Sequence, residues 1–446
     1  MNFLRDKIKP MYLKYLCAAF GSSFITSIYG IVDMAIVGQY HGAQGTAAMA
    51  VIAPVWNLIY SLGLLMGIGG SILFSTLRGQ YGKNDRKSNE FFTAALTGAA
   101  ALALITWLGI IFFDKELLLF FGAEETLLPL ARRYVFPVKF AVPSFLFTQV
   151  LTAFLRNDGN PGLATKAVLF GGIFNVAGDY FFVFMLDMGI MGAGLATVIG
   201  SVLSLLIMLS HFAGKKNTLH LTKPTALFQK WKRITVVGFS SFFIDVAMGI
   251  LTIFFNRQIL KYLGTDALAV YGIIINISTF VQCCAYSIGQ ASQPIISMNF
   301  GAGYGNRIRT LLRYTLCTAA LFSIFWTGLS LLVPNLYVRI FMSPDNHILE
   351  IAPAIIRAYG LSFLLLPLNI FSTYYFQALM KPLAAFIVSV SRGALISGIL
   401  IYLLPAFLGG ESIWFAMPIT ELMVAAYVGI EIYLCTKKLP HEKEQP

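Results

Sequence analysis

Asn175 and Asp179 stand four residues apart in "FGGIFNVAGDYFFVFML" (170–186), a run that is otherwise apolar, aromatic or small. On a helix that spacing puts both side chains on one face. A carboxylate at bilayer depth costs several kcal/mol unless it meets water, a cation or a partner. Water-poor surroundings penalise its charged form, so taking up a proton there becomes cheap. A sodium ion would instead need several oxygen ligands. The competing reading is a static post that hydrogen-bonds one helix to another.

Other acids lie in apolar runs. Asp33 is near the outer end of its run, with Tyr29 one turn below it, and an interfacial, solvated carboxylate is the alternative there. Asp245, in "SSFFIDVAMGI" (240–250), is a candidate contact for a cationic substrate or a second coupling acid, and equally a structural post. Glu421 could serve a cavity or pair with a buried Arg392. Two polar stripes run at helical spacing: Asn276, Thr279, Cys283, Ser287 and Gln290, then Asn369, Thr373 and Gln377. A wet cavity and hydrogen bonds between helices account for such stripes about equally well. The 38 Phe and 20 Tyr could stack on flat cations, although most must face lipid or core.

No Ser-His-Asp, Cys-His or metal-ligand constellation stands out, and every histidine falls in a loop or at the end of an apolar run. The glycine-containing basic stretches "RGQYGKNDRK" (78–87) and "NFGAGYGNRIR" (299–309) lack a Walker pattern and read as tight cytoplasmic turns. The five cysteines all lie in apolar runs, which is no disulfide or metal framework.

The elements that must position these residues are apolar helices. The chain is 57% hydrophobic and only 12% charged, half the charge of a soluble domain, with a mean hydropathy of +0.75. Twelve runs are long enough to cross about 30 Å of hydrocarbon: 14–38, 46–77, 91–113, 134–156, 163–186, 190–213, 234–260, 266–297, 310–333, 355–380, 382–408 and 412–435. The basic N-terminal stretch runs into the first of these without a small-residue cleavage site, so it reads as an uncleaved span. With the N-terminus inside, the outer side keeps only Lys115, Arg132, Arg133, Lys139, Arg257, Lys261, Arg339 and Arg357 of the 32 Lys and Arg. That bias supports both the number of spans and two cytoplasmic termini. The net charge of +12 is spread over short loops and forms no basic domain, so nucleic-acid binding is not expected.

The halves resemble each other. "GTAAMAV" (45–51) aligns with "GTDALAV" (264–270) at a shift of 219, which also carries Gly70 onto Gly289 and Gly82 onto Gly301. Pro161 and Pro382 match at a shift of 221. The expected fold is therefore all-α, with twelve transmembrane helices in two pseudo-symmetric six-helix bundles about an axis along the membrane normal. Residues 1–213 form the first bundle, 214–233 a cytoplasmic linker and 234–446 the second bundle with a short tail. A central cavity between the bundles is the expected layout. The 221 shift maps Asn175 and Asp179 onto Ile396 and Leu400, so the second half lacks the pair.

Over nearly its full length the chain resembles the multidrug and toxic compound extrusion (MATE) transporters of prokaryotes. The resemblance rests on "YGIVDMAIVG" (29–38), "FLRNDGNPGLATKA" (154–167), "NVAGDYFFVFMLDMGIMGAGLATVIG" (175–200), "GTDALAVYGI" (264–273), "GQASQPIISMNFGAG" (289–303) and "WFAMPITE" (414–421). It implies alternating-access export of bulky, often cationic organic compounds, driven by proton or sodium entry. It also implies that Asp33, Asn175 and Asp179 couple the ion, with the Thr197 hydroxyl beside them, and that these four would ligate sodium. The family's usual prolines in the first and seventh spans are replaced by Ala18 and Ser240, which removes the proline bend of the first helix; Gly21 and Gly30 are weaker bending points.

The expectation is a secondary antiporter in the cell (inner) membrane, a monomer among lipids, with no cofactor beyond H+ or Na+. Asp245, Asn276, Gln290, Asn369, Thr373, Gln377 and Glu421 are its candidate substrate-cavity residues. A lipid-linked oligosaccharide flippase would carry several buried cations for pyrophosphate, and only Arg392 and Lys166 approach mid-span. A membrane enzyme would need a nucleophile, a metal or paired acids near an interface. A channel is disfavoured by two unequal repeats with a single buried acid pair.

Overall fold

In a medium without water every backbone N–H and C=O must be satisfied within the segment, and for one uninterrupted run only a helix does this. The computed structural model describes residues 2–82, 85–121, 123–341 and 346–440; Lys83, His441 and Lys443, which the sequence places in a cytoplasmic loop and the tail, lie outside them. Among the described residues there is no strand. Twelve helices are long and apolar enough to cross a membrane: α1 (Ile8–Gly42), α2 (Gln44–Tyr81), α3 (Arg86–Phe120), α4 (Leu128–Asn157), α5 (Pro161–Met185), α6 (Ile190–Ala213), α7 (Leu227–Tyr262), α8 (Thr265–Ala302), α9 (Gly305–Leu332), α10 (Asn346–Ala378), α11 (Pro382–Leu408) and α12 (Gly410–Lys437). They answer the twelve expected spans one for one. Most begin or end several residues beyond the hydropathy limits, because helical hydrogen bonding continues into polar flanks that hydropathy does not count.

α1 keeps helical dihedrals through Gly21 and Gly30 and breaks only at Gly42 (φ 63°, ψ −148°), a conformation closed to side chains. Neither of these weaker bending points interrupts the helix, and the break with α2 comes at the helix end. Ile105 and Phe112 on α3, and Leu321 and Ile324 on α9, are large, apolar and exposed. Such faces suit hydrocarbon rather than water.

The chain forms two compact units: one holds the residues up to Asp6 with Cys17–Phe242, the other Lys7–Leu16 with the chain from Phe243 on. The repeat is visible inside each. A Cβ at Gly70 would meet Ala95 of α3 and Phe154 of α4, and one at Gly289 would meet Tyr374 of α10, so equivalent glycines seat equivalent helix crossings. One expected match shifts. Gly301 is still helical, and the left-handed residue that ends α8 is Gly303 (φ 79°), the counterpart of Gly82 (φ 93°).

In the first unit a buried polar knot anchors the chain after α6. Asp158 accepts from Arg78 Nη1 (2.7 Å), the Thr218 N–H (3.0 Å) and the Thr218 hydroxyl, and pairs with His211 Nε2 (2.8 Å). Arg78 also donates to the Thr218 carbonyl (2.6 Å). Burial opposes the charge on Asp158, but its His211, Thr218 and Arg78 contacts outweigh burial and hold the carboxyl below the usual range. Further along, the His220, Thr222 and Thr225 amides donate to Asn89, Thr93 and Glu90 at the start of α3.

Candidate functional site

α5 and α6 approach closely because both present glycine where they cross. A Cβ at Gly171 would lie 2.5 Å from the Gly200 carbonyl oxygen, and one at Gly200 2.7 Å from that of Gly171. Small residues of this kind let membrane helices close to backbone contact. One turn further along α5, Asn175 Nδ2 then reaches Thr197 Oγ1 of α6 at 3.0 Å, while Thr197 donates to the Ala193 carbonyl (3.0 Å). Just past Asp179 the helix widens by one residue per turn over Phe181–Met185. Such wide turns recur at functional sites.

Asp33 of α1 is buried, and its Oδ2 accepts a hydrogen bond from the Tyr134 hydroxyl of α4 at 2.9 Å. The Tyr134 hydroxyl also lies beside Thr197. Asp179 is fully buried and close enough to Asp33 for each charge to act on the other. The structure thus brings Asp33, Asn175, Asp179 and Thr197 into one cluster. It adds Tyr134, which sequence reasoning missed. A tyrosine at the rim of an apolar run is a common anchor, and nothing in its spacing ties it to a residue 101 positions earlier.

The hydrogen-bond accounting decides what the cluster can do. Four oxygens are buried without a donor: Asp33 Oδ1, Asn175 Oδ1 and both carboxylate oxygens of Asp179. Neither acid has a Lys, Arg or His partner among the described residues. Two unpaired acids that feel each other in a water-poor place cannot both stay charged without a cation. A proton on one carboxyl supplies a donor. A small hard cation would find oxygen ligands only, which is the donor set such ions take. Among the described residues, no group of three or more His, Cys, Asp or Glu gathers as a metal site.

The second unit treats its acids differently. Glu421 of α12 is fully buried, accepts from Arg392 Nε at 2.6 Å and takes Asn369 Nδ2 at 2.7 Å. Arg392 reaches it from a wide turn, Ser391–Leu395, inside α11. Asn369 also donates to the Glu421 carbonyl (2.9 Å), and Thr373 donates to the Asn369 carbonyl (3.4 Å). Asn369, Thr373, Gln377 and Glu421 show at most 1% of their surface; the Asn369–Glu421 bonds join α10 to α12, while Thr373 bonds back to its own helix. Asp245 is half-buried; its Oδ1 accepts from Tyr286 at 3.3 Å and its Oδ2 has no donor. Asn276 and Gln290 are also half-buried, and Asn276 donates to its own helix at Gly272 (3.2 Å). Ser240, in place of the family proline, is buried with its hydroxyl unpartnered.

Comparison with known proteins gives a consistent picture. The MatE family model matches residues 18–181 and 241–403, one segment in each half. The multidrug export protein MepA of Staphylococcus aureus (strain NCTC 8325 / PS 47) is 24% identical over 421 residues, covering 94% of this chain and 92% of that protein. MepA of Staphylococcus saprophyticus is 24% identical over 433 residues, 95% of this chain and 93% of its own. Among solved structures, the outward-facing conformation of a multidrug resistance MATE family transporter of the MOP superfamily superposes with a TM-score of 0.89. It is 19% identical and covers 98% of both chains. The MATE multidrug transporter DinF-BH gives 0.86 at 25% identity, over 95% of both.

Proposed function

Because the chain belongs to the MatE family, we propose that it is a secondary antiporter that exports small organic compounds, cationic ones foremost, in exchange for protons or sodium ions. The MepA relatives above are exporters by name, and the chain is read as a transporter, not an enzyme. One observation carries the coupling: Asp33 and Asp179 are buried together with no cationic partner, and three of their four oxygens lack a donor. The acids therefore hold a coupling ion, Tyr134 steadies Asp33, and Asn175 with Thr197 shapes the floor between α5 and α6. Loss of the ion leaves two like charges in a water-poor place, which favours a rearranged α1 against α5. Uptake of an ion restores the packed state.

Asp245, Asn276 and Gln290 keep some exposed surface and are the second unit's candidates for substrate contact. The orientation proposed is both termini cytoplasmic, in the cell membrane, with the monomer as the working unit and surrounding lipid as its only other partner. The test is dye export into the lumen of everted vesicles under an imposed pH gradient and, separately, an imposed sodium gradient. One gradient or the other, imposed alone, should drive this export, and Asp179→Asn should abolish the response to it. Efflux that neither gradient drives, or that survives the substitution unchanged, contradicts the proposal.

A further inference from the structure

At the end of α1, two turns above Asp33 on the same face, Tyr40 and His41 grip the junction of α5 and α6. The Tyr40 hydroxyl donates to Asp187 Oδ1, and its ring packs against Phe184 in the wide turn of α5. His41 Nε2 accepts the Ile190 N–H, the first of α6, at 3.0 Å. Gly189 (φ 55°) brings that backbone in: a Cβ there would lie 2.7 Å from His41 Nε2. The next residue after His41 is Gly42, where the helix breaks. The grip thus joins the three helices that carry Asp33, Asp179 and Thr197, right beside a point where the chain can turn.

A backbone N–H can only donate, so Nε2 must offer its lone pair and the clasp needs an imidazole unprotonated at that atom. A proton on Nε2 would set two N–H groups against each other and remove the bond. His41 is half-buried, so solvent reaches it. The charged and titratable groups facing it are Arg133 of α4, Tyr40 of its own helix, and Asp187 across the Tyr40 hydroxyl.

We propose that Tyr40 and His41 form a clasp over the outer end of the ion site that acid on the outer side releases, so that the proton-rich face opens its own way to Asp33 and Asp179. The side and the consequence rest on the antiport reading above; the clasp itself does not. His41 is here a positioning residue, since it touches neither ion nor substrate.

The test is amide hydrogen exchange of residues 187–193 in the full chain in lipid nanodiscs, from pH 8 to about pH 5, corrected for intrinsic exchange. Losing one such bond should speed opening by about fivefold to tenfold between the neutral and the acidic end of that pH range. In His41→Gln, whose amide oxygen can accept the Ile190 N–H without titrating, the profile should be flat and slow. In Tyr40→Phe, which keeps the imidazole, exchange should be faster at every pH yet still rise on acidification. A wild type with no pH dependence, or a His41→Gln profile that rises like the wild type, overturns the clasp. Because this reads backbone opening and not efflux, its failure leaves the antiport proposal standing, and failed efflux leaves the clasp standing.

Discussion

Asp179 and Glu421 are both fully buried carboxylates, yet their surroundings are opposite. Glu421 has an arginine and an amide on it, whereas Asp179 has no donor at all. Truncating one partner of a buried pair strands the other charge. Glu421→Gln should therefore lower unfolding stability by about 3 kcal/mol and leave the ion dependence of efflux as it was. Asp179→Asn removes an unpaired buried charge, so it should unfold no more easily than wild type and yet transport nothing. Denaturant or thermal unfolding of the two purified variants, run beside efflux, checks both signs; equal destabilisation by both would refute the distinction. Asp179 was legible as a candidate because a carboxylate in "NVAGDYFF" has few innocent explanations. The pairing of Glu421 with Arg392 was one of two readings, and only the wide turn of α11 decides it.

At the scale of elements, the twelve spans were legible because a helix crossing lipid must be apolar for about 20 residues. What hydropathy missed is polar. The knot of Arg78, Asp158, His211 and Thr218 joins four separate stretches of sequence, and no spacing rule connects them. It makes a prediction outside the membrane. The Asp158 carboxyl is held below the unfolded value of about 3.9, so its contribution to stability is present above that value and fades as the pH falls through the lower folded one. Asp158→Asn should thus be less stable than wild type at pH 7, and the gap should narrow below about pH 4. Unfolding curves at both pH values show this; a gap independent of pH would mean that the charge on Asp158 is not what holds the knot.

Across the whole molecule, the internal repeat was readable from "GTAAMAV" and "GTDALAV", and the crossings at Gly70 and Gly289 give it structural form. The two halves have nonetheless diverged in chemistry. The first keeps two acids with open valence; the second has Ile396 and Leu400 at the matching positions and places its fully buried acid, Glu421, on an arginine. Coupling energy should accordingly enter through one unit alone. The closeness of Asp33 to Asp179 was implied by family resemblance and by no periodicity, since α1 and α5 meet only in three dimensions. The most direct test is to add a planar monocationic dye to purified protein in weakly buffered solution, with and without sodium, and to record the protons or sodium ions released. Wild type should release ions as the dye binds, and the double variant Asp33→Asn/Asp179→Asn should bind dye and release none. Release of wild-type size from the double variant, or dye binding to wild type with no ion set free, would contradict the account.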